Sequence, residues 1–233
     1  MASSTIQLSR TLGVTQQFIR NSPLTFTSPT NNDPGFSNAD WVRQFILGPP
    51  FAWRWNRSIT NVLCIVGQSD YKISVPTFGW LEKAVINNPS DGNSSYELEI
   101  AIDLVPDNTP NQPTKISAQL DDGGGNITFR LVPAPDFAYN LVLSWQNSSP
   151  VFTASTQTWA PIPDYLSYLY NQGMKAVAYE YIADERYVTA MQLFLTNLVS
   201  ANNGLTESQR AIFLTDRLNI ERDNLGVAAT ARK

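Results

Sequence analysis

Few side chains in this sequence are typed and spaced for chemistry. Asp121-Asp122-Gly123-Gly124-Gly125-Asn126 combines carboxylates with glycines, as a metal- or phosphate-binding loop would. It lacks the Gly-Lys-Ser/Thr end of a phosphate loop and the ligand spacing of a calcium loop. Positive-φ residues at this spacing read better as a hairpin turn. Glu97 and Glu99 lie two residues apart and could act as an acid/base pair, but strand alternation alone places them on a solvated face. Asp184-Glu185-Arg186 reads as a helix cap with first-turn acids rather than a working ion cluster. Tyr165, Tyr168, Tyr170, Tyr179 and Tyr181 could stack bases, although tyrosines on both sides of a helix more often bury their rings and let the hydroxyls find partners.

The chain contains no histidine, which excludes Ser-His-Asp and Cys-His catalysis, His-ligated zinc and imidazole pH switching. The single cysteine, Cys64, sits in the apolar run "NVLCIV" and reads as a buried strand residue rather than a nucleophile. No constellation supports an enzyme, and no cofactor or metal site is expected. Among the remaining candidates, "ILGPPFAWRWNR" interleaves Phe51, Trp53 and Trp55 with Arg54 and Arg57. Such a pattern suits either a nucleic-acid platform or a junction of packed elements. Pro49 and Pro50 end a helix just before it and β-type alternation begins just after it, so a helix-to-β junction is the reading preferred for Phe51, Trp53 and Trp55.

Composition narrows the partners. Of the 233 residues 42% are apolar and only 15% charged, below the usual quarter, which suggests a surface partly covered by neighbours, although an Asn- and Ser-rich monomer also fits. A net charge of −4 with 16 scattered basic residues offers no sequence-wide attraction to phosphates. The N-terminal "MASSTIQLSR" lacks the pattern of a signal peptide, and no apolar run reaches the length of a membrane span, so a cytoplasm-like compartment is expected. Matches to N-x-S/T, such as Asn93-Ser94-Ser95, are then chance products of an Asn- and Ser-rich chain.

The elements that must position these residues fall into three stretches. From about residue 5 to 55, Ile6, Leu12, Val14, Phe18 and Ile19 suggest one helix; a second, capped by Ser37, carries Trp41, Phe45 and Ile46 and stops at Gly48-Pro49-Pro50. From about 59 to 158 the period is two. "DYKISV", "SYELEIAI", "NITFRLV" and "YNLVLSW" each alternate apolar and polar residues between turn clusters. Ile100 and Ile102 are expected on the buried face. From about 161 the period is helical again, with Leu166, Tyr170, Gly173, Val177 and Tyr181 on one stripe and Tyr187, Met191, Phe194, Leu195 and Leu198 on the next. "TESQ" is a capping box for a third C-terminal helix. The expected fold class is α+β: a helical bundle made by the N- and C-terminal helices, with an inserted antiparallel β-barrel or sandwich. The expected divisions are 1–57, 58–160 and 161–233.

This order of elements resembles the tail tubular protein A-like head-to-tail adaptors of tailed bacteriophages. "SPTNNDPG" followed by "NADWVRQFIL" and "FAWRWNR" resembles that family's passage from helices to β-domain. "GQSDYKISVPTFGWLEKAVI" is similar to its first strands, "FRLVPAPDFAYNLVLSWQNSSPVFT" to its closing hairpin, and residues 159–205 to its returning helix pair. The resemblance spans about residues 5–220. It implies a structural virion protein at the head-tail junction, assembled in the host cytoplasm as a homo-oligomeric ring of about twelve subunits. The implied partners are the portal protein and a tail nozzle or tail-tube protein, with genomic DNA passing through the lumen without specific binding and no membrane involved. A C-terminal portal contact would fall on Arg217, Arg222, Leu225, Arg232 and Lys233. Two other readings stand beside it: another phage structural subunit, of tail tube or decoration type, and a non-catalytic carbohydrate- or peptide-binding β-module using Trp80, Trp145 or Trp159.

Overall fold

A computed structural model describes residues 4–19, 34–89, 94–202 and 205–215. The elements run α1 (Leu8–Phe18), α2 (Pro34–Leu47), β1 (Arg57–Leu63), β2 (Asp70–Ser74), β3 (Phe78–Asn88), β4 (Ser94–Glu97), β5 (Glu99–Ile100), β6 (Pro110–Asn111), β7 (Lys115–Asp121), β8 (Asn126–Val132), β9 (Ala134–Pro135), β10 (Asn140–Asn147), α3 (Ser167–Tyr181) and α4 (Tyr187–Ala201). A fifth helix, α5, covers 207–215.

The chain divides into two compact units. One, the helical unit, combines Met1–Trp55 with Ser149–Lys233; the other, the strand unit, is Asn56–Ser148. The expected helical bundle with an inserted barrel or sandwich is not what the chain forms. The protein is mixed α+β, and among the described residues its strands make sheets of four, four and two strands, none closed into a barrel. A closed barrel needs every strand paired on both sides, and β1 and β4 of one sheet and β2 and β5 of the other have one neighbour each. The segment expected as one strand, "SYELEIAI", switches sheets at Leu98: residues 94–97 pair with β3, whereas Glu99 and Ile100 pair in parallel with β7.

In the strand unit the sheet orders are β1-β10-β3-β4 and β2-β8-β7-β5. Their inward residues share one core: Ala84, Ile86, Leu141, Leu143 and Trp145 from the first, Tyr71, Ile116, Ile127, Phe129 and Leu131 from the second. Alternation produces this core, since each strand presents every second side chain inward. Ile100 and Ile102 depart from the expected pattern. Both are exposed, because the chain leaves the sheet directly after β5. The ends of the unit are tied by a reciprocal pair: Asn56 Nδ2 donates to the Asn147 carbonyl at 2.8 Å, and Asn147 Nδ2 donates to the Asn56 carbonyl at 2.7 Å.

In the helical unit both ends of the chain contribute to one core, from Leu8 and Leu12 of α1 and Ala39, Val42 and Ile46 of α2 to Tyr170 and Met174 of α3 and Phe194 and Leu198 of α4. Gly173 marks the tightest point. A Cβ there would lie 2.7 Å from Val42 Cγ1 and 3.1 Å from Phe194 Cε2, so α2 and α4 approach α3 only because residue 173 has no side chain. α2 already begins at Pro34, which places Ser37 inside the helix rather than at its cap; proline suits a first turn because its missing N–H has no intrahelical role there. Val14, Phe18 and Tyr181, assigned to buried stripes by spacing, are exposed; α1 buries Leu8, Thr11, Leu12 and Thr15 instead, which leaves Val14 and Phe18 on its other face. The capping box forms as its residues suggest: Thr206 N donates to Gln209 Oε1 at 2.9 Å and Gln209 N donates to Thr206 Oγ1 at 3.3 Å.

Candidate functional site

The aromatic run Phe51–Trp55 belongs to the core of the helical unit. Phe51 and Trp53 are buried, and Trp55 is half-buried against the same cluster. Cis and trans prolines after α2 carry the chain out of the helix, and the side chains then fold back on it. The Trp53 indole N–H donates to the Ile46 carbonyl at 2.7 Å, satisfying one of the acceptors that a helix end leaves open. Trp53 and Trp55 stack at 5.3 Å between ring centroids. Phe51 meets Phe213 of α5 edge-on at 5.0 Å, and Asn202 Nδ2 donates to the Ala52 carbonyl at 3.0 Å. Arg54 is exposed. The rings are thus occupied by one another and by helix ends, and no face of Phe51 or Trp53 is open for a base.

A second group links α2 to residues 150–159. Arg43 is almost wholly buried, with its guanidinium carbon 3.6 Å from the centre of the Phe152 ring. It donates to the Pro150 carbonyl and to Asp40 Oδ1, and that same carboxylate oxygen accepts the Phe152 amide at 2.8 Å. Burial is the main influence on both charges: it raises Asp40 above its ordinary value, offset in part by the Phe152 amide and Arg43, and pulls Arg43 down to about 10, offset in part by Asp40. Beside this pair, Trp159 stacks flat on Tyr170 at 4.3 Å, meets Phe152 at 5.3 Å, and donates its indole N–H to Thr11 Oγ1 at 2.9 Å. Asp164 gathers the N-terminal residues. Its carboxylate accepts from Ser4 Oγ, Thr5 N, Thr5 Oγ1 and Ile6 N, and these hydrogen bonds, Thr5's hydroxyl first, hold its pKa below the ordinary value.

The other candidates are dispersed. Asp121–Asn126 is the β7–β8 hairpin turn, with Gly123 and Gly125 at positive φ. Asp122 accepts from Lys72 of β2, from the Asn126 side chain and from the Gly124 and Asn126 amides, contacts that lower its pKa and leave the turn's carboxylate already partnered. Glu97 pairs with Lys83 and Glu99 with Lys115, one in each sheet, so the two carboxylates do not act together. Asp184 binds Arg186 through main chain and guanidinium, which hold it down to about 2. Cys64 is buried, and desolvation pushes its thiol up to about 11, away from a thiolate at neutral pH. Tyr170 and Tyr179 are buried, whereas Tyr165, Tyr168 and Tyr181 are exposed. Trp145 and Trp159 are also buried, so neither offers a ring to a glycan.

Arg217, Arg222, Leu225, Arg232 and Lys233 lie outside the described residues. Sequence reasoning missed Arg43, Trp159 and Asp164 as organising residues. Each has a partner more than one hundred positions away, and no local spacing signals such contacts. Among the described residues no group of three or more His, Cys, Asp or Glu is placed to hold a metal ion, and no helix is long and apolar enough to cross a membrane. No protein-family model matches the chain, and no curated protein matches it in sequence.

Proposed function

We propose that this protein is a structural virion component, a head-to-tail connector that forms a ring between portal and tail nozzle or tube. One observation carries the reading: the two ends of the chain build a single helical unit, and the uninterrupted segment Asn56–Ser148 forms a separate strand unit. Such a design offers two independent surfaces to two neighbours on one chain. The complete absence of histidine and the low charge density favour a role in assembly over chemistry. Net acidity suits a lumen through which DNA passes without sticking, because an acidic wall gains nothing from phosphate counterion release.

In this reading the partners are a portal protein, a nozzle or tail-tube protein and further copies of the chain, about twelve to a ring. The residues after 215, with Arg217, Arg222, Leu225, Arg232 and Lys233, supply the portal contact. The test is electron microscopy of the full chain mixed with a portal ring. A second ring stacked on the portal is expected. If particles made without this gene product still join heads to tails and retain their DNA, the reading is wrong.

A further inference from the structure

Among the described residues the first sheet of the strand unit ends in two open edges, β1 and β4. Strand β1 pairs with β10 in unbroken register from Arg57↔Gln146 to Leu63↔Asn140. The Cys64 amide continues that register by donating to the Tyr139 carbonyl. Even-numbered residues of β1 therefore turn their main-chain groups toward β10, and Arg57, Ile59, Asn61 and Leu63 turn theirs outward. Those outward groups meet no partner among the described residues. Exposed edges are usually blunted by lysine, proline, a bulge or shortness. "RSITNVL" carries none of these, and its outer face shows Ile59 and Leu63 at 63% and 67% exposure. The second sheet differs, because it ends in the two-residue β5 and in β2, which carries Lys72.

Strand β4 complements β1. The Leu98 amide donates to Ala84 in the β3–β4 register, so Ser95 and Glu97 turn their main-chain groups outward. The four strands alternate in direction, so β4 runs opposite to β1. Copies set side by side in one orientation then bring β4 of one against β1 of the next as an antiparallel pair. Placing Arg57 opposite Glu97 places Ile59 opposite Ser95. Both are matches of outward-directed main chain, and all four side chains lie on the face away from the core. The charges are complementary as well. Arg57 uses Nε and Nη2 on Glu82, which leaves Nη1 for a second carboxylate, and Glu97 is 58% exposed beside Lys83.

We propose that copies of this chain join head to tail through these edges, β1 of one against β4 of the next, in the register Arg57–Glu97 and Ile59–Ser95. The sheet then continues from copy to copy. The inference rests on the ring-forming reading and names the surface that makes the ring. A head-to-tail contact of this kind closes into a ring or runs on as a filament, according to the rotation between copies.

The experiment uses the full chain carrying Ile59→Cys and Ser95→Cys. Opposed residues of a hydrogen-bonded antiparallel pair have Cα atoms about 5.5 Å apart, within the span a disulfide bridges. Mild oxidation of the double variant should yield a ladder of covalent oligomers on a non-reducing gel. A mixture of the two single variants should stop at dimers, and the unaltered chain, whose Cys64 is buried, should give none. Glu97→Lys should weaken association a few-fold, and Ile59→Pro, which removes the outward N–H that would meet Ser95 and no bond to β10, should weaken it further while circular dichroism stays unchanged. Absence of cross-linking in the double variant overturns the proposal, as does Ile59→Cys cross-linking alone as fast as the mixture, which would mean β1 pairing with β1. Rings seen by microscopy without the 59–95 cross-link sink the edge pairing and leave the ring reading. A cross-linked ladder that only extends as open filaments does the reverse.

Discussion

The helical unit and the strand unit hold together by different means. In the helical unit the stabilising contacts join segments far apart in sequence through single side chains: Trp159 to Thr11 and Tyr170, Asp40 and Arg43 to residues 150–152, Asp164 to residues 4–6. In the strand unit the main chain does most of the joining, and the buried side chains follow the period of the strands. The difference matters for assembly. A unit tied by specific side chains is complete once its partners are in place, whereas a ladder of main-chain bonds ends in open donors and acceptors wherever its last strand lies. Among the described residues every sheet strand lies in the strand unit, which keeps edges that a further strand could extend.

Substitutions can break or sharpen this contrast. The largest effect is expected for Trp159→Ala. Removing a fully buried ring that bridges α1, α3 and residue 152 should cost about 3–5 kcal/mol, seen as an early urea transition of the helical unit. A comparable stability would show that the unit does not depend on this bridge. In the strand unit, Ile86→Ala should cost about 2–5 kcal/mol and Ile59→Ala less than about 0.5 kcal/mol, because the first isoleucine is fully buried and the second faces outward. Equal losses at the two sites would mean that β1 is not the open edge described.

Gly173→Ala sets two effects against each other. Alanine favours the helix by about 1 kcal/mol, but its Cβ would press on Val42 and Phe194, and overpacking costs about 1–3 kcal/mol. A net loss is expected in thermal unfolding, and a gain would mean that α2 gives way easily. Ala183 ends α3 at φ 53°, so Ala183→Gly should raise stability by about 0.5–1 kcal/mol. Last, Asp164 has a folded pKa below its unfolded value, so its contribution is present above the ordinary carboxylate range and fades as pH falls through the lowered value. The protection of the Thr5 and Ile6 amides, measured as exchange relative to the intrinsic rate at each pH, should fall over that acid range. Asp164→Asn should remove the pH dependence; if it persists, another group holds the N-terminal residues.

Much of this was legible from period and punctuation. Strand alternation identified Ile127, Phe129, Leu131, Leu141 and Leu143 as buried, helical spacing identified Met191, Phe194 and Leu198, and Gly48-Pro49-Pro50 marked the end of α2. These are local rules, and each depends only on side-chain direction within one element. The barrel expectation failed because alternation says which residues face inward and not which strand lies beside which. "SYELEIAI" keeps its period through Leu98 although the chain changes sheets there. The aromatic run reads in sequence as a helix-to-β junction, whereas its rings' partners, Ile46 and Phe213, belong to the helical unit and come from elements whose approach no spacing encodes.

The amino-acid sequence by itself determined the types and spans of the main elements, the turn chemistry of Asp121–Asn126, the capping box at Thr206, and the exclusion of histidine-based catalysis. These follow from backbone preferences and side-chain inventories that need no distant partner. Only the tertiary structure decided that Arg43 is buried beneath Phe152, that Glu97 and Glu99 serve different sheets, and that β1 and β4 are left as open edges of one sheet. Those outcomes depend on which segments meet across many residues of chain, and that choice is made by the packing of whole surfaces rather than by any short run of residues.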